Sequence, residues 1–219
     1  MRIAAQFNGP PHSGHGGYVA GSLAVRVPGA GSDVWLRAPA PLDTELTERA
    51  EGTHVSVWDG KTLIAEADPV TPAMDPVPFV NLEQAQAAQM RFAGAVPNPY
   101  ETCFGCGRLR EDGLRIHPGS VSDGLVACVW HPRGRVAEEW VWAALDCTSG
   151  WAWPIGDVNL VTGRLTGGLL DTEPIDPVGP YIAVGAQLTR DGRKHISAAA
   201  LFTPAGHRVA GVRATWLLV

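Results

Sequence analysis

Lysine is almost missing from this chain: of seventeen basic residues, fifteen are arginine. Twenty-two acidic residues outnumber them, for a formal charge of −5. That net charge argues against nucleic acid as the main partner, since binding along a phosphate backbone needs a basic face. Long hydrophobic runs are lacking too. No segment reaches the roughly twenty apolar residues that span a bilayer. The start, Met1-Arg2-Ile3-Ala4-Ala5-Gln6-Phe7-Asn8, has no apolar stretch of signal-peptide length. A cytoplasmic protein with no membrane partner is the expectation. Cysteine is scarce, four in 219 residues, and in that compartment all four are expected as thiols. The remainder is ordinary for a folded protein: 45% hydrophobic and 18% charged, too apolar for disorder. The length suits two domains of about 100 residues each.

The pattern reads strand, helix, several strands, and then the same again. Residues 2–7 read as a short first strand. A helix begins near His15 or Gly16 and carries Tyr18, Val19, Leu23 and Val25 before Pro28-Gly29. Val34 to Leu36 and Leu42 to Leu46 read as extended. Val55-Ser56-Val57-Trp58 and Thr62-Leu63-Ile64-Ala65 flank Asp59-Gly60, a hairpin signal. A proline-rich connector follows over 69–78, then a short helix around Leu82 to Phe92 and an irregular stretch over 93–113. In the second half, Leu125 to Trp130 reads as a strand. A helix spans about Ala137 to Trp153, opened by Glu138 and Glu139 and closed by Pro154 and Gly156. Its body is apolar nearly all round, so it is expected to be buried on more than one side. Strands are expected near 160–170, 181–190, 194–203 and 208–218.

Two segments about 130 residues apart carry the candidate chemistry. Asn8-Gly9-Pro10-Pro11-His12-Ser13-Gly14-His15-Gly16-Gly17 leads into the first helix, and Leu145-Asp146-Cys147-Thr148-Ser149-Gly150 puts one carboxylate inside the second. The first resembles the Asn-Gly…His-Gly-Gly segment that opens the central helix of hotdog-fold acyl-CoA thioesterases. The second is similar to the Leu-x-Asp-x-x-x-Gly stretch of the same family. Cys103-Phe104-Gly105-Cys106-Gly107, with Gly113-Leu114 after it, resembles a lead-in that many hotdog proteins carry. In the single-domain members, His-Gly-Gly sits nine residues before the acid on one helix. Here nine residues on from His15 stands Ala24, and nine back from Asp146 stands Ala137. Each half lacks what the other keeps.

The resemblance implies an α+β protein of two tandem hotdog domains, 1–96 and 97–219, each a curled antiparallel sheet around a central helix. Together they would form a pseudo-dimer within one chain, with one composite site. It implies hydrolysis of acyl-CoA or related thioesters. Gly16 and Gly17 would supply oxyanion-binding amides, and Asp146 the general base or nucleophile. Asn8, His15, Thr148 and Ser149 would be substrate contacts. No cofactor is expected beyond coenzyme A as part of the substrate, and a homodimer of double hotdogs is implied because hotdog sheet edges often associate. Unpaired N–H groups at a helix start suit the negative charge that builds on a thioester oxygen. A carboxyl buried among tryptophan, alanine and leucine has its pKa raised toward that of a useful base.

Plainer readings stand beside these. Gly16 and Gly17 could mark a tight turn and close helix packing; His15 could shape its loop by hydrogen bonding. Asp146 could sit in a polar gap near Thr148 or Ser149, and Asn-Gly-Pro-Pro is ordinary turn chemistry. Of the four tryptophans on the second helix, core packing is the default, with one or two left to line an acyl tunnel. Cys103 and Cys106 have the spacing of half a zinc site, but Cys128, His117 and His131 show no matching spacing, so a metal-free structural loop is expected. Cys147 reads as packing. A non-catalytic acyl-binding protein is the rival reading. A hydratase or dehydratase is a weaker one, since Asp157-Val158-Asn159 lacks the histidine that chemistry requires.

Overall fold

A computed structural model describes residues 1–72, 75–134, 136–155, 159–170, 175–176 and 179–219. Ala73, Met74, Gly156, Asp157 and Val158, all part of the sequence reading above, lie outside the described residues. Among the described residues, three α-helices and one antiparallel sheet give an α+β fold, as expected. The first half contains α1 (Gly16–Ala24), β1 (Ser32–Leu36), β2 (Thr47–Glu51), β3 (His54–Asp59) and β4 (Thr62–Pro69). After α2 (Leu82–Gln89) come β5 (Gly119–Ser122), β6 (Leu125–Trp130) and α3 (Glu138–Gly150). The last four strands are β7 (Leu160–Leu169), β8 (Tyr181–Asp191), β9 (Lys194–Phe202) and β10 (Arg208–Leu218).

All ten strands join one sheet in the order β2-β3-β4-β1-β7-β10-β9-β8-β6-β5. The same arrangement occurs twice. After α1 the four strands lie in the order first, fourth, third, second; after α3 the four strands repeat that order. The two sets meet where β1 pairs antiparallel with β7, Val34 opposite Leu165 and Asp33 opposite Thr166. The Asp-Gly turns fold as read: Gly60 and Gly192 take φ of +57° and +54°, the left-handed conformation tight hairpins require.

Packing explains the apolar runs. Val34, Leu165 and Leu201 face inward onto α1 and α3 within one continuous core. β6, β8 and β9 are buried on both faces. Cys128, Ala183 and Ala199 join the main core, while their neighbours Ala127, Val129, Ile182, Val184 and Ala200 face a second cluster, as the two-residue strand period dictates. Ala85 and Ala88 of α2 belong to that second cluster. Asn81 and Gln84 cap α2 reciprocally through a capping box. A boundary at 96/97 assigns α2 to the first half, yet α2 covers the sheet of the second. Its alanine face packs against Ala127 and Val129 of β6.

Other expectations need correction. Residues 2–7 do not form a strand. Arg2 and Ile3 make only isolated bridges, to Glu45 and Leu42, and Ala5–Phe7 turn into a 3-10 helix. The partner segment bends at Asp43, a non-glycine residue at φ +54°, so no ladder propagates. Regular pairing in that region starts at Thr47, beyond the 42–46 segment. α1 stops at Ala24, four residues before Pro28. The short edge strand β5 was not read from the sequence. Among the described residues no helix is long and apolar enough to cross a membrane.

The seam between β1 and β7 carries a polar clamp on its outer face. Arg164 donates from Nε and Nη2 to both oxygens of Asp33, each at 2.7 Å, and Thr166 Oγ1 donates to Asp33 at 2.7 Å. The Arg164 guanidinium also lies 4.4 Å from the ring centre of Trp35. Burial works against the Asp33 charge, but the bonds from Arg164 and Thr166 outweigh it and hold the carboxyl below its ordinary value. A depressed folded-state pKa stabilises the fold above the unfolded value near 3.8 and ceases to do so as pH falls through the folded value. Asp33→Asn should therefore cost on the order of 1 kcal/mol at neutral pH, a figure reduced for the partial exposure of Arg164. In paired urea titrations the gap from wild type should shrink below pH 4. A gap independent of pH would contradict the clamp.

Candidate active site

The start of α1 and the middle of α3 touch. Gly17 is the second residue of α1, and its N–H donates to Asp146 Oδ2 at 2.6 Å. A Cβ on Gly17 would stand 2.4 Å from Asp146 Cβ and 2.6 Å from the Trp142 carbonyl oxygen; one on Gly21 would stand 2.6 Å from Glu139 Cα. Glycine one turn apart is what lets the helices approach this closely. The packing and functional readings of Gly17 are thus two descriptions of one contact.

Asp146 is 2% exposed. Its other oxygen, Oδ1, accepts from Thr162 Oγ1 at 2.9 Å. His15 Nδ1 lies 3.5 Å from Oδ2, too far for a strong hydrogen bond. Burial pushes the Asp146 carboxyl up, and that effect outweighs the His15 charge, the Thr162 hydroxyl and the Gly17 amide. His15 is the N-cap of α1, where Nδ1 accepts from the Tyr18 N–H at 3.3 Å. Its Nε2 faces Cys147 Sγ at 3.1 Å. So His15 does shape the helix start by hydrogen bonding, while also touching both Asp146 and Cys147.

A cavity of about 430 Å³ opens beside this cluster. Gly16, His15, Asp146 and Thr162 line its polar wall; Val19, Leu36, Ile155, Leu160 and Leu217 make the apolar remainder. Trp151, one of the four tryptophans at α3, lines it with Trp216 from β10. Trp142 is fully buried and donates to Glu138, as core packing requires. The cavity volume is within the range usual for small-molecule sites.

Three expected substrate contacts do not reach the cavity. Asn8 Oδ1 accepts from Arg110 at 2.6 Å and its Nδ2 donates to the Gly9 carbonyl at 3.2 Å. It ties the 8–14 turn to the loop containing Cys103. Thr148 Oγ1 donates to the Ala144 carbonyl at 2.7 Å, one turn back on its own helix. Ser149 Oγ donates to the Asp146 carbonyl and accepts from Trp216 Nε1. Helical rotation turns both hydroxyls into the core, away from the carboxylate beside them in sequence. The oxyanion reading of Gly17 also changes, because its N–H is engaged by Asp146. Gly16 lines the cavity, and among the described residues its N–H has no protein hydrogen-bond partner.

Two features escaped the sequence reading. Thr162 sits between Val161 and Gly163 on β7, and nothing about an isolated strand threonine signals a carboxylate partner. Cys103 and Cys106 do have further donors nearby: Cys103 Sγ lies 3.9 Å from Cys147 Sγ, and His15, Cys103 and Cys147 form one buried group. All four cysteines are free thiols. Hydrogen bonds from Cys106 and Cys147 lower Cys103, and those two thiols are raised in turn. Burial opposes a charged His15, but Cys103 and Asp146 outweigh it and raise the imidazole above its usual value.

No protein-family model and no curated protein sequence matches the chain. Solved structures do. A conserved protein with a hot dog fold from Alicyclobacillus acidocaldarius aligns over 100% of this chain and 91% of its own, at 14% identity and a TM-score of 0.62. The acyl-CoA thioesterase II TesB2 of Mycobacterium marinum aligns over 99% and 91%, at 12% identity and a TM-score of 0.57. The tesB protein of Mycobacterium avium subspecies paratuberculosis aligns over 93% and 86%, at 13% identity and a TM-score of 0.56. At these identities it is backbone architecture that is shared, and by that measure the chain has the hotdog fold from end to end.

Proposed function

We propose that this chain hydrolyses acyl thioesters, of coenzyme A or a related carrier, at one site formed where its two halves meet. The observation that carries the reading is the Asp146 carboxylate. It is held by the Gly17 amide of the other half and by Thr162, at the polar wall of an apolar cavity. Asp146 takes a proton from a water whose oxygen attacks the thioester carbonyl. Negative charge on the carbonyl oxygen is met by the Gly16 N–H at the positive end of α1. The C–S bond breaks, and the departing sulfur takes the proton from Asp146. The repeated helix-and-four-strand order supports reading each half as one hotdog unit and the chain as a fused pseudo-dimer with a single complete site. Coenzyme A enters as substrate only.

The homodimer the resemblance implies is not required for this chemistry, since both halves of the site come from one chain. At one end of the sheet, β2 carries Glu48, Arg49 and Glu51, with all five of its residues exposed, a composition that resists edge pairing. One observation favours the rival acyl-binding reading: with the Gly17 N–H tied to Asp146, oxyanion stabilisation falls on Gly16 alone.

Release of free thiol from a panel of aliphatic and aromatic acyl-CoAs tests the proposal. Wild type should turn over at least one. Thr162→Val, which removes the hydroxyl and keeps the shape, should lower kcat about tenfold to a hundredfold through misplacement of the carboxylate. Tight binding of acyl-CoA with no turnover on any thioester would decide for the binder.

A further inference from the structure

Four soft donors from three distant parts of the chain converge at the floor of the cavity. His15 arrives as the cap of α1 and Cys147 on α3; Cys103 and Cys106 arrive on the loop before Leu114. The ligand atoms of His15, Cys103 and Cys147 all lie within 4.8 Å of one another. Cys103 Sγ and Cys147 Sγ are 3.9 Å apart, and His15 Nε2 is 3.1 Å from Cys147 Sγ. Sulfurs bound tetrahedrally to one zinc stand about 3.8 Å apart. Cys106, three residues on from Cys103 in the same loop, lines the same cavity, and all four residues are buried.

The loop is built to hold that position. Gly107 N–H donates to the Cys103 carbonyl at 2.8 Å, Phe104 N–H to the Asn8 carbonyl at 2.8 Å, and Ile116 N–H to the Gly105 carbonyl at 2.9 Å. Gly105, between the two cysteines, lies against the cluster. A Cβ there would stand 2.4 Å from Cys147 Sγ and 2.7 Å from His15 Nε2, filling the space the donors share.

We infer that His15 Nε2 and the thiolates of Cys103, Cys106 and Cys147 form a closed four-donor site for one zinc ion or a similar borderline-soft divalent cation. Cys3His is an established structural zinc set, and Cys-x-x-Cys is its usual sequence half. A nucleophilic role for Cys147 with His15 leaves Cys103 and Cys106 unexplained; a cation accounts for all four. Binding releases the thiol protons, and the ion's double charge offsets three thiolates in an apolar setting. With Nε2 on the metal, the imidazole proton sits on Nδ1, which gives up the Tyr18 N–H it otherwise accepts and faces Asp146 Oδ2, 3.5 Å away. That is the carboxylate–histidine–metal relation common around zinc. This inference does not depend on the hydrolase reading, because its readout is bound metal.

Elemental analysis of the full chain purified without chelator should find one zinc per chain. Cys103→Ser and Cys106→Ser should lose most of it, while Cys128→Ser should keep it, because Cys128 lies on β6 outside the cluster. Cobalt exchanged into the wild type, which needs no variant to fold, should show a thiolate-to-cobalt charge-transfer band and the intense visible bands of a tetrahedral site. Three results would overturn the inference: metal-free protein that takes up neither zinc nor cobalt, a weak octahedral cobalt spectrum, or a disulfide joining two of the three cysteines in the protein as isolated.

Discussion

Asp146→Asn should lower kcat for thioester hydrolysis about a thousandfold, within the range a lost general base produces, and should leave the chain folded. Asparagine has nearly the shape of aspartate, and the site can accommodate it. The Gly17 N–H needs an acceptor, which the asparagine oxygen supplies; the Thr162 hydroxyl can rotate to accept from the new amide nitrogen. What is lost is the basic lone pair and the negative charge. Removing that charge also removes the desolvation penalty that raises the Asp146 pKa, so the stability change should be small or favourable. Asp146→Ala is a poorer probe. It leaves the Gly17 amide buried and unpaired, at about 1–3 kcal/mol, and confounds chemistry with folding. Steady-state kinetics with a thermal melt on the same sample separates the two. Turnover within a few-fold of wild type, from a folded Asn variant, removes Asp146 from the mechanism.

Much of this was legible because single local rules decide it. α3 could be read from the apolar body Trp140 to Leu145 behind Glu138 and Glu139, and the two Asp-Gly hairpins from turn chemistry. Asp146 stood out as a lone carboxylate in that helix, and His15-Gly16-Gly17 as a glycine-rich helix start. What stayed hidden depends on tertiary placement. Thr162 becomes a partner of Asp146 only because the β1–β7 seam carries the start of β7 past α3. Thr148 and Ser149 are neighbours of Asp146 in sequence and were read as neighbours in the site. Helical rotation sends them instead to Ala144 and Trp216. The cysteine cluster shows the same limit: the search for two more ligands used spacing, and spacing cannot find His15 and Cys147, which the crossing of α1 and α3 brings to the loop. α2 was read as a helix, but an alanine-rich face does not say which strands it covers, and its packing on β6 was not legible.

Gly17→Ala should destabilise the chain by about 2 kcal/mol or more, although the same change in an exposed helix is favourable by up to about 1 kcal/mol. The sign turns on what the methyl meets. At Gly17 it meets Asp146 Cβ at 2.4 Å and, at 2.6 Å and 2.9 Å, the Trp142 oxygen and Ala143 Cα, which are helix backbone. None of these is the free end of a side chain, so α1 must move away from α3, and overpacking of that kind costs typically about 1–3 kcal/mol. The movement also stretches the 2.6 Å amide bond to Asp146 and takes the Gly16 N–H with it, so activity should fall with stability. Gly16→Ala supplies the contrast. Its methyl meets Thr162 Oγ1 at 2.8 Å, Thr162 Cβ at 2.9 Å and Asp146 Oδ2 at 3.2 Å, so it presses on one strand side chain and not on the backbone of α3. That variant should lose less stability than Gly17→Ala yet lose turnover, because the methyl displaces Thr162 and occupies the space of the attacking water. Urea midpoints and kcat for both variants check the pair. Equal stability of Gly17→Ala and wild type would mean that the two helices do not cross as closely as the geometry of Gly17 and Gly21 requires, and the shared site would lose its physical basis.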